Sequence, residues 1–270
     1  MESDVEILLA INYGLGHFLP LSTALHDELL KLSLAWPHIS TETAIAIYFG
    51  LSLGIIMYLW QDVANITSSI WQMVKGKKRG NQLGYLLGIK ILSSFILFPF
   101  AWFIYSNILD KYFSLQIAGW VCFVLGIVLL VADRVGMTVA RISHMGFQDS
   151  IIIGIVQCLG IIPGAGTATM SIISSRFIGF ERVDTLRINL LFSLPITLFL
   201  LGESIYSWVI NHGAITFMPD KLMTSFSAFI TCIIMISFTQ AWLKRGRFTF
   251  FAYYRIMLGG GILTYAYTLG

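Results

Sequence analysis

Charge is scarce in this chain. Only 11% of its 270 residues are Asp, Glu, Lys or Arg, while 57% are hydrophobic; a soluble domain carries roughly 25% charged residues. The shortage excludes both a soluble globular domain and a disordered chain. A net charge of +3 with no basic face on a soluble domain excludes nucleic-acid binding. The three cysteines, Cys122, Cys158 and Cys232, stand singly in apolar segments, so neither a disulfide framework nor a CxxC site is expected. The five histidines, His17, His26, His38, His144 and His212, lack the i, i+4 pattern of a metal-binding helix. No metal is assigned from spacing, although Mg²⁺ or Ca²⁺ brought in by a phosphate substrate stays open. Glu2, Asp4 and Glu6 have the wrong sign for a signal peptide, so the first segment is expected to persist in the mature protein.

What the chain does contain is apolar runs of the ~20 residues needed to span a bilayer. Spans are expected at 43–60, 84–106, 113–132, 187–209, 221–243 and 248–268. Two further segments are interrupted: about 5–35, broken at Gly14, Gly16 and Pro20, and about 147–182, broken at Gly160, Pro163, Gly164 and Gly166. Each reads as a pair of half-helices that enters the membrane and returns. Trp36 and Pro37 mark an interface and a turn, and Asn107, Asp110 and Lys111 a polar hinge. The fold class is therefore all-α: a polytopic integral membrane protein forming one membrane domain over 1–270. One broken segment plus three spans, taken twice, gives repeats of about 1–140 and 141–270. Three spans is odd, so the second copy should be inverted. The basic clusters Lys75, Lys77, Lys78, Arg79 and Lys244, Arg245, Arg247, with Arg134 and Arg141, then share the cytoplasmic face.

Polar groups at membrane depth are costly unless they serve a site. They concentrate in two stretches, GLGHFLPLSTALHD (14–27) and QCLGIIPGAGTATMS (157–171), which are expected to meet. His17 and His26 are candidate catalytic groups, with Ser22 beside them. Thr23, Thr167 and Thr169 offer hydroxyl donors. Gly164 and Gly166, before a half-helix start, suit an anion nest, and Arg182 and Arg187 are candidate phosphate clamps. Each has a plainer reading: an interior histidine, glycines for close helix packing, hydroxyls bonded to their own helix, arginines at the interface.

The two stretches resemble the undecaprenyl-diphosphatase family of the bacitracin-resistance type. Phe18, Leu19, Pro20, Ser22 and His26 fall on a first motif, approximately E-G-x-T-E-F-L-P-x-S-S-T-G-H. Gln157, Leu159, Pro163, Gly164, Gly179, Arg182 and Pro195 fall on a second, Q-x-L-A-x-x-P-G-x-S-R-S-G with its later G-x-x-R and proline. Phe248, Phe251, Ala252, Tyr254 and Arg255 resemble a C-terminal F-x-P-F-A-x-Y-R. The resemblance implies a multi-pass protein of the bacterial inner membrane that acts on the polyprenyl phosphate carrier of cell-wall synthesis, removing one phosphate from undecaprenyl diphosphate. Tyr13 and His17 stand where the family has glutamates, Thr167 where it has an arginine, and Gly166 and Ala168 replace flanking serines. Arg187 stands where an acidic residue is frequent. Three functions therefore stay open: a phosphatase with a rebuilt site, a non-catalytic binder or flippase of polyprenyl phosphate, and an unrelated transporter or membrane partner. A homodimer also stays open.

Overall fold

The structure, a computed structural model, describes residues 2–34, 36, 39–75, 82–109, 114–136, 139–213 and 219–268. Among these, Pro20 and Pro163 do break the segments that carry them. Helix α1 (Glu2–Gly16) ends in a turn over 17–22, and α2 (Thr23–Leu34) returns from it. Pro20 has no N–H to continue a helix, and the chain closes tightly around it, with Leu21 N donating to Leu19 O at 2.8 Å. The second interruption runs from α8 (Phe147–Cys158) through a 3₁₀ turn (Leu159–Ile161) and Pro163 to α9 (Thr167–Ile178).

Between and after these lie α3 (Thr41–Tyr58), α4 (Trp60–Val74), α5 (Gln82–Phe95), α6 (Phe98–Ile104), α7 (Leu115–Val135), α10 (Arg182–His212), α11 (Leu222–Leu243) and α12 (Thr249–Thr268). Ser40 and Ser114 cap α3 and α7 by accepting from Thr43 N and Ile117 N, satisfying helix N–H groups that have no partner of their own. Thr41–Tyr58, Gly84–Ile108, Leu115–Val135, Arg182–His212 and Leu222–Leu243 are long and apolar enough to cross a membrane. The sixth expected span, α12, has the length but not the apolar content: it carries Tyr253, Tyr254, Tyr265, Tyr267 and the fully buried Arg255. The expected turn residue Pro37, and Lys77, Lys78, Arg79, Asp110 and Lys111, lie outside the described residues.

The helices pack chiefly as α7 on α12, α3 on α11 and α10, and α1 on α11. Two ion-pair clusters fix their directions. At one end, buried Asp133 of α7 accepts from Arg182 Nε (2.7 Å) and from Thr249 N and Oγ1 (3.2 and 3.1 Å), with Arg176 Nε at 3.5 Å. The C-terminus of α7 therefore meets the starts of α10 and α12. At the other end, Lys221 before α11 pairs with Glu6 of α1 and Glu42 of α3. Arg187 near the start of α10 binds Asp62, just beyond the end of α3. Helices α3 and α10 thus run antiparallel, as do α7 and α12. A buried carboxylate holding two guanidiniums resists removal of any one member, since the charge left behind would be uncompensated.

Candidate active site

The two broken segments meet turn to turn. A Cβ built on Gly166 would lie 3.3 Å from Ser22 Cα, and one on Gly164 would lie 2.3 Å from Ala118 O of α7. Both glycines have positive φ, +80° and +85°, which side chains rarely adopt, and at Gly164 the Ala118 carbonyl also leaves no space for one. On the first turn, Ser22 has φ 60°, a left-handed conformation rare for a residue with a side chain.

Arg255, from α12, clasps the two turns. Fully buried, it donates through Nη1 to Pro20 O (3.4 Å) and Thr169 Oγ1 (3.0 Å), and through Nη2 to Gly164 O (2.5 Å). One side chain thereby holds residues 235 and 91 positions away in sequence. Its partners are neutral oxygens, and among the described residues it makes no ion pair. A planar fork of donors suits this three-way attachment, which a lysine's single ammonium does not reproduce.

Over the joined turns opens a cavity of about 630 Å³, within the range of small-ligand sites. His17, Ser22, Thr23, Gly166 and Thr167 all line it, together with Tyr13, Tyr48 and Lys31, and an apolar wall that includes Phe98, Trp102, Ile196 and Leu200. Met170 N donates to Gly166 O, so the amides of Thr167, Ala168 and Thr169 form the first turn of α9, without intrahelical acceptors. Gly166, Thr167 and Ala168 bring that helix start to the cavity wall. Ser22 Oγ is buried and has no hydrogen-bond partner among the described residues.

Helix α10 supports this arrangement with a ladder of buried polar groups. Asn189 Nδ2 donates to Phe18 O (2.9 Å), Ser193 Oγ lies 3.4 Å from Asn189 Oδ1, and Gln157 Nε2 donates to Ser193 Oγ (3.5 Å). Thr197 Oγ1 lies 3.4 Å from His17 Nε2. Both broken segments are thus tied to one helix.

The other candidates are placed elsewhere. Gly164 and Thr169 sit behind the cavity as acceptors for Arg255. His26 faces a separate apolar groove of about 460 Å³ whose walls include Leu15, Phe238, Trp242 and Phe250. Its Nδ1 donates to Ser22 O (2.9 Å) and its Nε2 accepts from the Tyr254 hydroxyl (2.6 Å), with the two rings stacked. Both ring nitrogens are occupied, so His26 braces the Ser22 carbonyl. Arg182 is bound to Asp133 and Arg187 to Asp62; neither lines the cavity. Among the described residues no group of three or more His, Cys, Asp or Glu could hold a metal ion. Arg255, Lys31 and the α10 ladder are the site features that sequence reasoning missed. Arg255 had a signal in the C-terminal motif, but without a role attached to it.

The family model described as Bacitracin resistance protein BacA matches residues 6–261. The chain belongs to the BacA family. Among curated relatives, this BacA protein is similar to undecaprenyl-diphosphatase 1 of Rhodospirillum rubrum, at 30% identity over 275 residues covering 97% of this chain and 94% of the relative. It is also similar to the undecaprenyl-diphosphatase of Roseobacter denitrificans, at 28% identity over 263 residues covering 97% and 98%. With five helices among the described residues long and apolar enough to cross a membrane, this BacA member is a multi-pass protein of the bacterial inner membrane.

Proposed function

We propose that this BacA protein hydrolyses undecaprenyl diphosphate to undecaprenyl phosphate and inorganic phosphate, with Ser22 as nucleophile and His17 as proton acceptor. The observation that carries the reading is Ser22 itself: a strained residue whose buried hydroxyl has no partner among the described residues, at the wall of a cavity facing a helix start. Backbone strain of this kind costs of order 1–3 kcal/mol and persists where surrounding structure enforces it. Ser22 Oγ forms a bond to the terminal phosphorus as the bond from that phosphorus to the bridging oxygen breaks. The hydroxyl proton passes to His17, and undecaprenyl phosphate leaves carrying the bridging oxygen. Water then cleaves the Ser22 phosphoester, restores the hydroxyl and releases phosphate.

Charge on the phosphoryl oxygens has to be met by oriented donors. The Thr167 and Ala168 amides at the positive end of α9 serve this purpose, with the Thr23 and Thr167 hydroxyls beside them. Arg255, directly behind the turns, adds positive potential without touching the ligand. The groove at His26 shares Gly16 and Leu19 with the cavity, offering the prenyl chain an apolar exit.

The two histidines test this assignment. His17→Ala is expected to lower kcat for phosphate release by about 10²–10⁴, the usual contribution of a general base. His26→Ala removes only a brace and is expected to cost about tenfold, one hydrogen bond's worth of positioning. Assays in detergent with and without Mg²⁺ or Ca²⁺ should give the same order. Full activity in His17→Ala, with loss in His26→Ala, would overturn the reading.

A further inference from the structure

We propose that Lys31 is the residue by which this site distinguishes a diphosphate from a monophosphate: its ammonium takes the second phosphoryl group while the start of α9 holds the first. The inference rests on the hydrolytic reading of the same cavity and names what selects its substrate.

Lys31 is the one formally charged side chain among the described residues lining the cavity, and it lies outside every motif that carries the family resemblance. It stands on α2 two turns beyond Ala24, which lines the same cavity; seven residues return to nearly the same helix face about 10.5 Å along the axis. Helical side chains lean toward the N-terminus of their helix. Lys31 therefore reaches back along α2 toward Ser22, and its Nζ is found 3.6 Å from Asp27 and 3.3 Å from Glu28, with the side chain 21% exposed. Thr167, across the cavity, carries no charge. A diphosphate needs positive charge at both phosphoryl groups, and the helix start supplies only one such place.

The two carboxylates matter to the selectivity. They tether the ammonium loosely and repel an incoming anion, so a ligand must offer enough negative charge to draw Lys31 away from them. A monophosphate held at the α9 start presents nothing to Lys31. A diphosphate presents a second anionic group and exchanges it for the carboxylates. Discrimination then comes from an added contact on one side and a built-in competitor on the other.

Binding, rather than turnover, tests this. A prenyl methylenediphosphonate, which cannot be cleaved at the bridge, and the matching prenyl monophosphate are titrated against full-length protein in detergent, followed by tryptophan fluorescence. Wild-type protein is expected to prefer the diphosphonate by at least about tenfold, as one charge-assisted contact allows. Lys31→Gln is expected to bring the two affinities together, and Lys31→Arg to restore the preference. Glu28→Gln keeps the lysine and loosens its tether, so it should tighten diphosphonate binding even where Lys31→Gln fails to fold. A preference unchanged in Lys31→Gln, no preference in wild-type protein, or no tightening in Glu28→Gln overturns the proposal. A wild-type preference that Lys31→Gln abolishes, accompanied by no phosphate release from the true diphosphate, would leave Lys31 in place and remove the hydrolytic reading instead.

Discussion

Arg255→Met is expected to lower phosphate release by about 10⁴ while changing stability by no more than a few kcal/mol. Two losses combine in the activity. The guanidinium holds Pro20 O, Gly164 O and Thr169 Oγ1 together, and a shift of about 1 Å in the spacing of the two turns alone costs on the order of 10². Its positive potential behind the helix start adds a further factor of about 10², the scale of one oriented electrostatic donor. Stability is different, because opposing terms nearly cancel. Three acceptors lose hydrogen bonds worth about 1.5–3 kcal/mol each to a charged donor. Against that, a buried guanidinium with no counter-ion among the described residues stops paying a desolvation cost of several kcal/mol. Arg255→Lys restores charge without the fork and should recover only part of the rate. Phosphate release and thermal melting on the same preparations check both statements. A fall smaller than tenfold would mean that the turns hold their spacing without the clasp.

The second large effect separates function from stability in the opposite direction. Ser22 holds φ at 60° and keeps its hydroxyl buried without a partner among the described residues. Glycine adopts that conformation freely. Ser22→Gly is therefore expected to stabilise the protein by about 1 kcal/mol, relieving both the strain and the unpaired hydroxyl, while abolishing phosphate release. Ser22→Ala loses the hydroxyl but keeps most of the strain, so it should be equally inactive and less stable than Ser22→Gly. Loss of activity with a higher melting temperature is the signature of a working group held at a structural cost. An active Ser22→Gly would remove Ser22 from the chemistry.

The two broken segments and the five apolar spans among the described residues were legible because their determinants are local. Pro20 and Pro163 stop helices through missing N–H groups, Gly164 and Gly166 permit a tight return, and the apolar runs between them have bilayer length. The convergence of Ser22, His17 and Thr167 was also legible, since each lies on a break and breaks are where backbone groups are left to bind a ligand. The arginines were not. Arg182 and Arg187 find their carboxylates 49 and 125 residues away, and nothing near them in sequence marks Asp133 or Asp62 as partners. His26 lies on a motif beside Ser22, yet its ring follows the opposite face of α2 and meets Tyr254, 228 residues on. Arg255 sits in a helix otherwise rich in aromatic and small residues, where the C-terminal motif marks it without giving it a role. Its role depends on where two distant turns come to rest. Residue type and spacing identified the breaks; only tertiary packing could show which charges serve the site and which hold helices together.

Phosphate release from undecaprenyl diphosphate by the purified wild-type protein, with the lipid products followed in the same samples, is the measurement to make first. One phosphate released for each undecaprenyl phosphate formed, with no further release from the monophosphate, is the result expected of a site built from Ser22, His17 and the start of α9. Tight binding of the diphosphate with no phosphate released would contradict it and leave a protein that holds the lipid without cutting it.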